Sequence, residues 1–371
     1  MGINRLLSQK FRFYSFISIA LLLFVHGYNL NDTYLHPYST VTEPMTFTTW
    51  FEYFLANGIL RFRIPLLFLI SGYIYALQDN KSYGERTKKR FITLMIPFFI
   101  WSAIGLAITF LWQQYPVTAQ AVSDAKLDQM GDNRPYTEIG WWGIFTRWIL
   151  APVSFQLWFI RVLFIYNILY PFFKWILKKY ALAWFIITFC LFFIDFNIMY
   201  LVEGQGLFFF SMGIWIQKNN FPIERQPRWF SITLAWLFFI GCSVIKTFMA
   251  FELEPDSAAT IWTLAILYAA SIVAGIMAIW YGCDKLVTWL MQKKWFRWST
   301  SFAFIIYSMH VPLVFYLTRL FYIYINDFTY YRLLTYFLAP AITLLICIGV
   351  GALLRKLLPR IYKVMTGGRG F

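Results

Sequence analysis

Charge is what this chain has least of. Only 13% of its residues are charged, where a typical soluble domain carries roughly 25%, and 60% are apolar. That balance excludes a water-soluble globular domain and predicts a chain embedded mostly in a bilayer. Histidine is scarce, with three in all and no His-Glu-x-x-His run, which argues against a catalytic metal. The four cysteines, Cys190, Cys242, Cys283 and Cys347, lie in or beside apolar runs, at spacings that fit neither a disulfide framework nor a zinc site. There is no glycine-rich phosphate loop, Gly-x-Ser-x-Gly elbow, long acidic run or low-complexity segment. No internal repeat is visible, which weighs against an inverted-repeat transporter.

Long apolar runs, by contrast, are abundant. Windows of about twenty apolar residues fall near 12–30, 56–77, 91–112, 153–174, 181–199, 201–217, 229–249, 258–282, 300–321 and 334–354. They predict an all-α, polytopic membrane bundle of about ten transmembrane helices in a single domain over 1–371. The sixth run is short and opens on Glu203-Gly-Gln-Gly206, compatible with a start inside the membrane. The first run is long and lacks a small-residue cleavage site, so it is expected to remain as a spanning helix. Aromatics make up 22% of the chain. Many flank the apolar runs, as at Trp50-Phe51, Trp141-Trp142 and Trp295-Phe296, where amphipathic rings favour the headgroup level.

The loops carry opposite charge on alternate sides. With the N-terminus inside, 23 of the 32 basic residues fall in cytoplasmic segments, among them Arg5, Lys10, Arg12, Lys88, Lys89, Arg90, Lys174, Lys218, Arg297, Arg355 and Arg369. The opposite side receives 13 of the 17 acids, including Asp32, Glu43, Glu52, Asp128, Asp132, Glu252 and Asp256. The positive-inside rule therefore predicts cytoplasmic N- and C-termini. The net charge of +15 is then topological; scattered over six short loops, it does not form the basic surface a nucleic acid requires. The longest loop, about 113–152, is external on this reading, and loops beyond about 12–15 residues are usually functional or disordered.

Six ionisable residues fall within apolar stretches: His26, Arg61, Arg63, Arg161, Glu203 and His310. A charge in a bilayer costs at least about 2.5–3.5 kcal/mol, so such residues mark a functional site by default. Arg61 and Arg63 are two residues apart, hence about 200° apart on a regular helix, so one of them, Arg63, is expected to snorkel outward. Arg161 lies about two turns inside its run, suited either to a site or to an ion pair with Glu203 or Asp195. Glu203 starts a helix, where a carboxylate is favoured. His310 precedes Val311-Pro312 and fits a hydrogen bond at a proline kink as well as a site role.

Several segments together resemble the acyltransferase-3 family of integral membrane acyltransferases. Arg61-Phe-Arg-Ile-Pro-Leu-Leu-Phe-Leu-Ile-Ser-Gly-Tyr73 resembles its "VPLFFLISGY" segment, and Gln156-Leu-Trp-Phe-Ile-Arg-Val-Leu163 its "HLWFLR-x-L" segment. Ser301-Phe-Ala-Phe-Ile-Ile-Tyr-Ser-Met-His-Val-Pro312 is similar to "SFxIYxxHxP", and Lys88-Lys-Arg-Phe-Ile-Thr-Leu-Met-Ile-Pro97 to the basic stretch that opens the third helix. The family pairs an Arg with a His eleven positions later, but counting back from His26 reaches Ser15. Arg12, about 21 Å below His26 and roughly 40° off its face, or an Arg from another helix, is left to fill that place.

The resemblance implies transfer of an acyl group, acetyl most often, from cytoplasmic acyl-CoA to a carbohydrate hydroxyl of the cell envelope. It also implies a bacterial inner membrane. His26 is then the candidate general base or transient acyl carrier, with Arg61 and Arg161 stabilising developing negative charge and Glu203 orienting His26. Lys10, Arg12, Lys88, Lys89 and Arg90 are candidate ligands of the coenzyme phosphates, and His310 matches a family His. Partners on this reading are acyl-CoA, the carbohydrate, the lipid bilayer, and a second copy or a separate periplasmic protein, the last for any second step, because the chain ends seventeen residues after its last apolar run. A membrane transporter or exporter of a glycan or small anion is the alternative.

Overall fold

The computed structural model describes residues 4–28, 36–128, 130–131, 134–198, 201–255 and 257–370. Asn29, which follows His26 at the expected acceptor side, and Asp32, Asp132 and Asp256 lie outside the described residues.

The chain is all-α. In order it forms α1 Arg5–His26, α2 Phe47–Ala76, α3 Tyr83–Trp112, α4 Pro116–Ala125, α5 Gly140–Ile149, α6 Phe155–Ile168, α7 Tyr170–Lys179 and α8 Ala181–Phe193. There follow α9 Gly204–Lys218, α10 Ile232–Glu252, α11 Ala258–Gly282, α12 Asp284–Gln292, α13 Lys294–Thr300, α14 Ala303–Ile325, α15 Tyr331–Leu357 and α16 Pro359–Met365. Among the described residues the only strands are Asn197–Ile198 and Val202–Glu203, an antiparallel pair leading into α9. Each expected apolar run contains a helix, but among the described residues seven helices are long and apolar enough to cross a membrane, or eight if a bent pair counts as one. The 153–174 run is that pair: α6 and α7 meet at 63°, because Pro171 lacks the N–H that a continuous helix would use. The 181–199 run yields only α8, which is shorter than a full span. The 113–152 loop, expected to be external, is not structureless, since it holds α4 and α5. Arg147 of α5 pairs with Asp128 at 2.5 Å, and Trp148 donates its indole N–H to the Phe99 carbonyl at 2.9 Å.

The basic segments share one end of the bundle. Arg12 reaches the Arg297 carbonyl at 2.6 Å, Arg355 the Ser301 hydroxyl at 2.8 Å and Arg369 the Thr93 carbonyl at 2.8 Å, while Lys174 and Lys218 both pair with Asp79. Both terminal segments therefore sit together. At the opposite end Arg332 bridges Glu43 at 2.6 Å and Glu52 at 3.1 Å.

Backbone contact between α2 and α9 sets the centre of the bundle. A Cβ on Gly72 would overlap the Phe210 carbonyl, and one on Gly213 the Leu69 carbonyl. Small residues let two helices approach this closely where lipid provides no hydrophobic drive between them.

Candidate functional site

His26 ends α1 and is 8% exposed. Its ring packs edge-on to Phe155 at 5.1 Å, lies 5.6 Å from Phe315, and stacks with the ring of His310 at 5.5 Å and 26°. The two histidines, 284 positions apart in sequence, thus form one pair.

Proline chemistry holds the second member. Pro312 supplies no N–H and Val311 has non-helical backbone angles, so carbonyls of the preceding turn lose their helical partners. Gln156 donates to the Ser308 carbonyl at 3.0 Å and the Val311 carbonyl at 3.3 Å, and Ser154 donates to Val311 at 3.0 Å. His310 contributes through Nδ1, which lies 2.8 Å from the Tyr307 carbonyl and 3.0 Å from that of Ile306. Carbonyls only accept, so the proton is assigned to Nδ1 and the neutral ring presents a lone pair at Nε2. That nitrogen is buried and has no partner among the described residues. The kink bond expected for His310 and a reactive edge are thus present on the same ring.

The arginine beside this pair is Arg63. It is 2% exposed, donates through Nε to the Leu60 carbonyl and leaves Nη1 without a partner among the described residues. Its charge acts on both His26 and His310. The expectation that Arg63 snorkels outward is therefore overturned. The 200° argument presumed a regular helix, whereas α2 is π-helical over Phe54–Gly58 and 3₁₀ over Ile59–Phe62 before resuming as α-helix at Arg63. These turns change the angle per residue, and Arg61 and Arg63 both come within electrostatic range of His26. Arg61, half-buried, donates to the Asn57 side chain at 2.7 Å.

Other expected members lie elsewhere. Arg161 donates to the Leu150 carbonyl at 2.7 Å and stands over Phe98; it fastens α6 to the end of α5, and the ion pair expected with Glu203 or Asp195 does not form. Glu203 is held by Tyr166, whose hydroxyl donates to its carbonyl at 2.8 Å and accepts from its N–H at 3.2 Å. A Cβ on Gly206 would come within 2.6 Å of Glu203 Oε1. The charged neighbour of this carboxylate is Asp195, so it is not the group that orients His26. Arg12 turns toward Thr300, at 2.7 Å, and the Arg297 carbonyl, so it does not rise to His26; the buried Arg near that ring comes from α2.

Among the proposed phosphate ligands, Lys10 is 0% exposed and committed to Asp284 at 2.6 Å and the Trp280 carbonyl at 2.8 Å. A cation already satisfied inside the protein is not offered to a coenzyme, and Lys10 is corrected to an internal pair. Lys88 and Lys89 are exposed, and Arg90 lies 5.1 Å over the Tyr75 ring.

Two residues escaped the sequence reading. Gln156 sits where the resembling segment has His, and its value appears only with the kink it caps. Lys246 is a lone lysine in the apolar run of α10, 0% exposed, and donates to the Asn57 carbonyl at 2.9 Å; the cost of charge in a bilayer would have singled it out as it did Arg61. A separate cavity of about 130 Å³ lies under α4, lined by Thr109, Gln113, Asp128, Tyr136 and Tyr316 among others. It shares no residue with the histidine pair.

The family described as an acyltransferase domain matches residues 9–354. The succinoglycan biosynthesis protein ExoH of Rhizobium meliloti (strain 1021) is 26% identical over 324 residues, which covers 86% of this chain and 82% of that protein. No solved structure matches the chain.

Proposed function

The chain belongs to the acyltransferase 3 family, and from that premise we propose that it moves an acyl group, acetyl in the simplest case, from cytoplasmic acyl-CoA to a hydroxyl of a cell-envelope carbohydrate. The membrane is the inner membrane of a bacterium. The chain crosses it ten times, α8, α9 and the bent α6–α7 pair included, with the basic end and both termini in the cytoplasm. The relative's part in succinoglycan biosynthesis favours a polysaccharide acceptor, and the family match favours transfer over transport.

The observation that carries this reading is the stacked pair of His26 and His310 with Arg63 buried beside it. In direct transfer the acceptor oxygen attacks the thioester carbonyl carbon, its proton passes to the imidazole of His26, and the carbon–sulfur bond breaks as the carbon–oxygen ester forms. The proton then leaves with the coenzyme thiolate as its thiol. Arg63 supplies positive charge where the carbonyl oxygen becomes negative. His310, with its proton held at Nδ1 by backbone carbonyls, keeps the neighbouring ring edge as an acceptor. In the two-step variant His26 carries the acyl group before the hydroxyl attacks.

The test uses purified protein in liposomes, acetyl-coenzyme A on the basic side, a carbohydrate acceptor, and free coenzyme A as the readout. His26→Ala is expected to lower turnover by about 10²–10⁴-fold while the protein still inserts and runs as the native chain on gel filtration. Native turnover in that variant overturns the mechanism.

A further inference from the structure

The chain holds a second group of buried charge, toward the end away from the termini. Lys246 lies six residues before the end of α10, about 9 Å along the axis. Its ammonium stands 4.9 Å over the ring of Tyr268, whose hydroxyl accepts from Gln205 at 2.7 Å. Asn57 ties the group together: its carbonyl accepts from Lys246 and its side-chain oxygen from Arg61. Tyr268 is also an electrostatic neighbour of Arg63, so the group adjoins the histidine pair.

Lys246 and Arg63 are both buried, and neither has a carboxylate partner among the described residues. The ammonium has three protons, and the hydrogen bond to Asn57 uses one. Arg63 Nη1 and the Tyr336 hydroxyl, an electrostatic neighbour of Arg63, are also without partners among the described residues. Buried charges are ordinarily paired, and Lys10 in the same protein shows what a paired one looks like. Freed carbonyls at the break in α2 account for a donor at position 246; they do not account for a full positive charge there, since a neutral amide would serve.

We propose that Lys246, with Tyr268 and Gln205 beside it, binds an anionic oxygen group, carboxylate or phosphate, carried by one of the two substrates. Such a group belongs either to the far end of the acyl chain or to an acidic sugar of the acceptor. The assignment of substrates rests on the acyl-transfer reading; the anion site itself does not.

Two measurements test it. In the first, the full chain in liposomes is given succinyl- against butyryl-coenzyme A, and a uronate-bearing oligosaccharide against its neutral methyl ester. The native chain is expected to prefer the anionic member of one pair by about tenfold or more in kcat/KM; which pair shows it identifies the source. Lys246→Gln keeps a donor for the Asn57 carbonyl and removes the charge, and it should bring that ratio close to one. Lys246→Arg should retain most of it. A ratio that Lys246→Gln leaves unchanged, or no preference in either pair of the native chain, overturns the proposal. The second measurement needs no turnover. Millimolar succinate or inorganic phosphate should raise the Tm of the native chain above that in chloride at equal ionic strength, and should not do so for Lys246→Gln. Equal shifts in both, or none in the native chain, overturn the anion site. A protein that is stabilised by the anions but releases no coenzyme A from any donor removes the transfer reading alone.

Discussion

Two sites in this bundle treat buried positive charge in opposite ways. At the basic end Lys10 meets Asp284, and Asp79 gathers Arg86, Lys174 and Lys218. Toward the other end, where Arg332 still meets Glu43 and Glu52, Arg63 and Lys246 are as deeply buried as Lys10, yet no carboxylate answers either among the described residues. Desolvating a charge costs several kcal/mol after relaxation, so a fold that leaves two such groups unanswered in one place and pairs them in another has separated chemistry from architecture. Paired cations hold helices in position; on the proposed reading the unpaired ones meet a substrate.

Substitutions can break that division. The largest effect after loss of His26 is expected at Arg63: Arg63→Lys keeps a charge but not the planar fork, and turnover should fall by about 10²-fold with little change in Tm. A Tm loss that matches the loss of turnover would make Arg63 architectural instead. Lys10→Met should show the converse behaviour. Its stability should fall by about 1–3 kcal/mol as Asp284 loses its partner, seen as a lower Tm, while the KM for acyl-coenzyme A stays at the native value; a raised KM would return Lys10 to the coenzyme.

Smaller effects sharpen the comparison. Lys88→Ala with Arg90→Ala should raise the KM for donor by about fivefold while leaving turnover nearly constant, as expected for uniform binding by surface charges. An unaltered KM would make these residues purely topological. Asp79 gives the least change. Partial burial pushes its carboxyl up, but hydrogen bonds from Lys174 and Lys218 outweigh this and hold it below the ordinary carboxylate range. A group depressed on folding stabilises above its unfolded value and loses that contribution as pH falls through the folded one. Asp79→Asn should therefore cost up to about 1 kcal/mol at neutral pH, and native and variant Tm values should converge in acid; a gap that persists there would show a role other than charge.

The helices were legible because apolar length and loop charge are local properties that the bilayer enforces. The pairing of His26 with His310 was not, since it depends on the three-dimensional return of α14 to α1. Arg63 was misjudged for a definite reason: a single angle per residue was carried through a stretch where π and 3₁₀ turns replace it, and Gly58 and Asn57 in the sequence do not announce that change. Gln156 was passed over because an amide matters here only for the carbonyls that Pro312 releases. Lys246 is different. Its signal, one charge in an apolar run, was present in the sequence and of the same kind that marked Arg61.

At the crossing of α2 and α9, where Gly72 and Gly213 face opposing carbonyls, the two backbones leave no width for another molecule. Any methyl group placed at either glycine would wedge the helices apart, and on the proposed reading a pantetheine arm would have no lane there. On the acyl-transfer reading proposed above, a thioester would have to reach the paired histidines of α1 and α14 by another flank of α2.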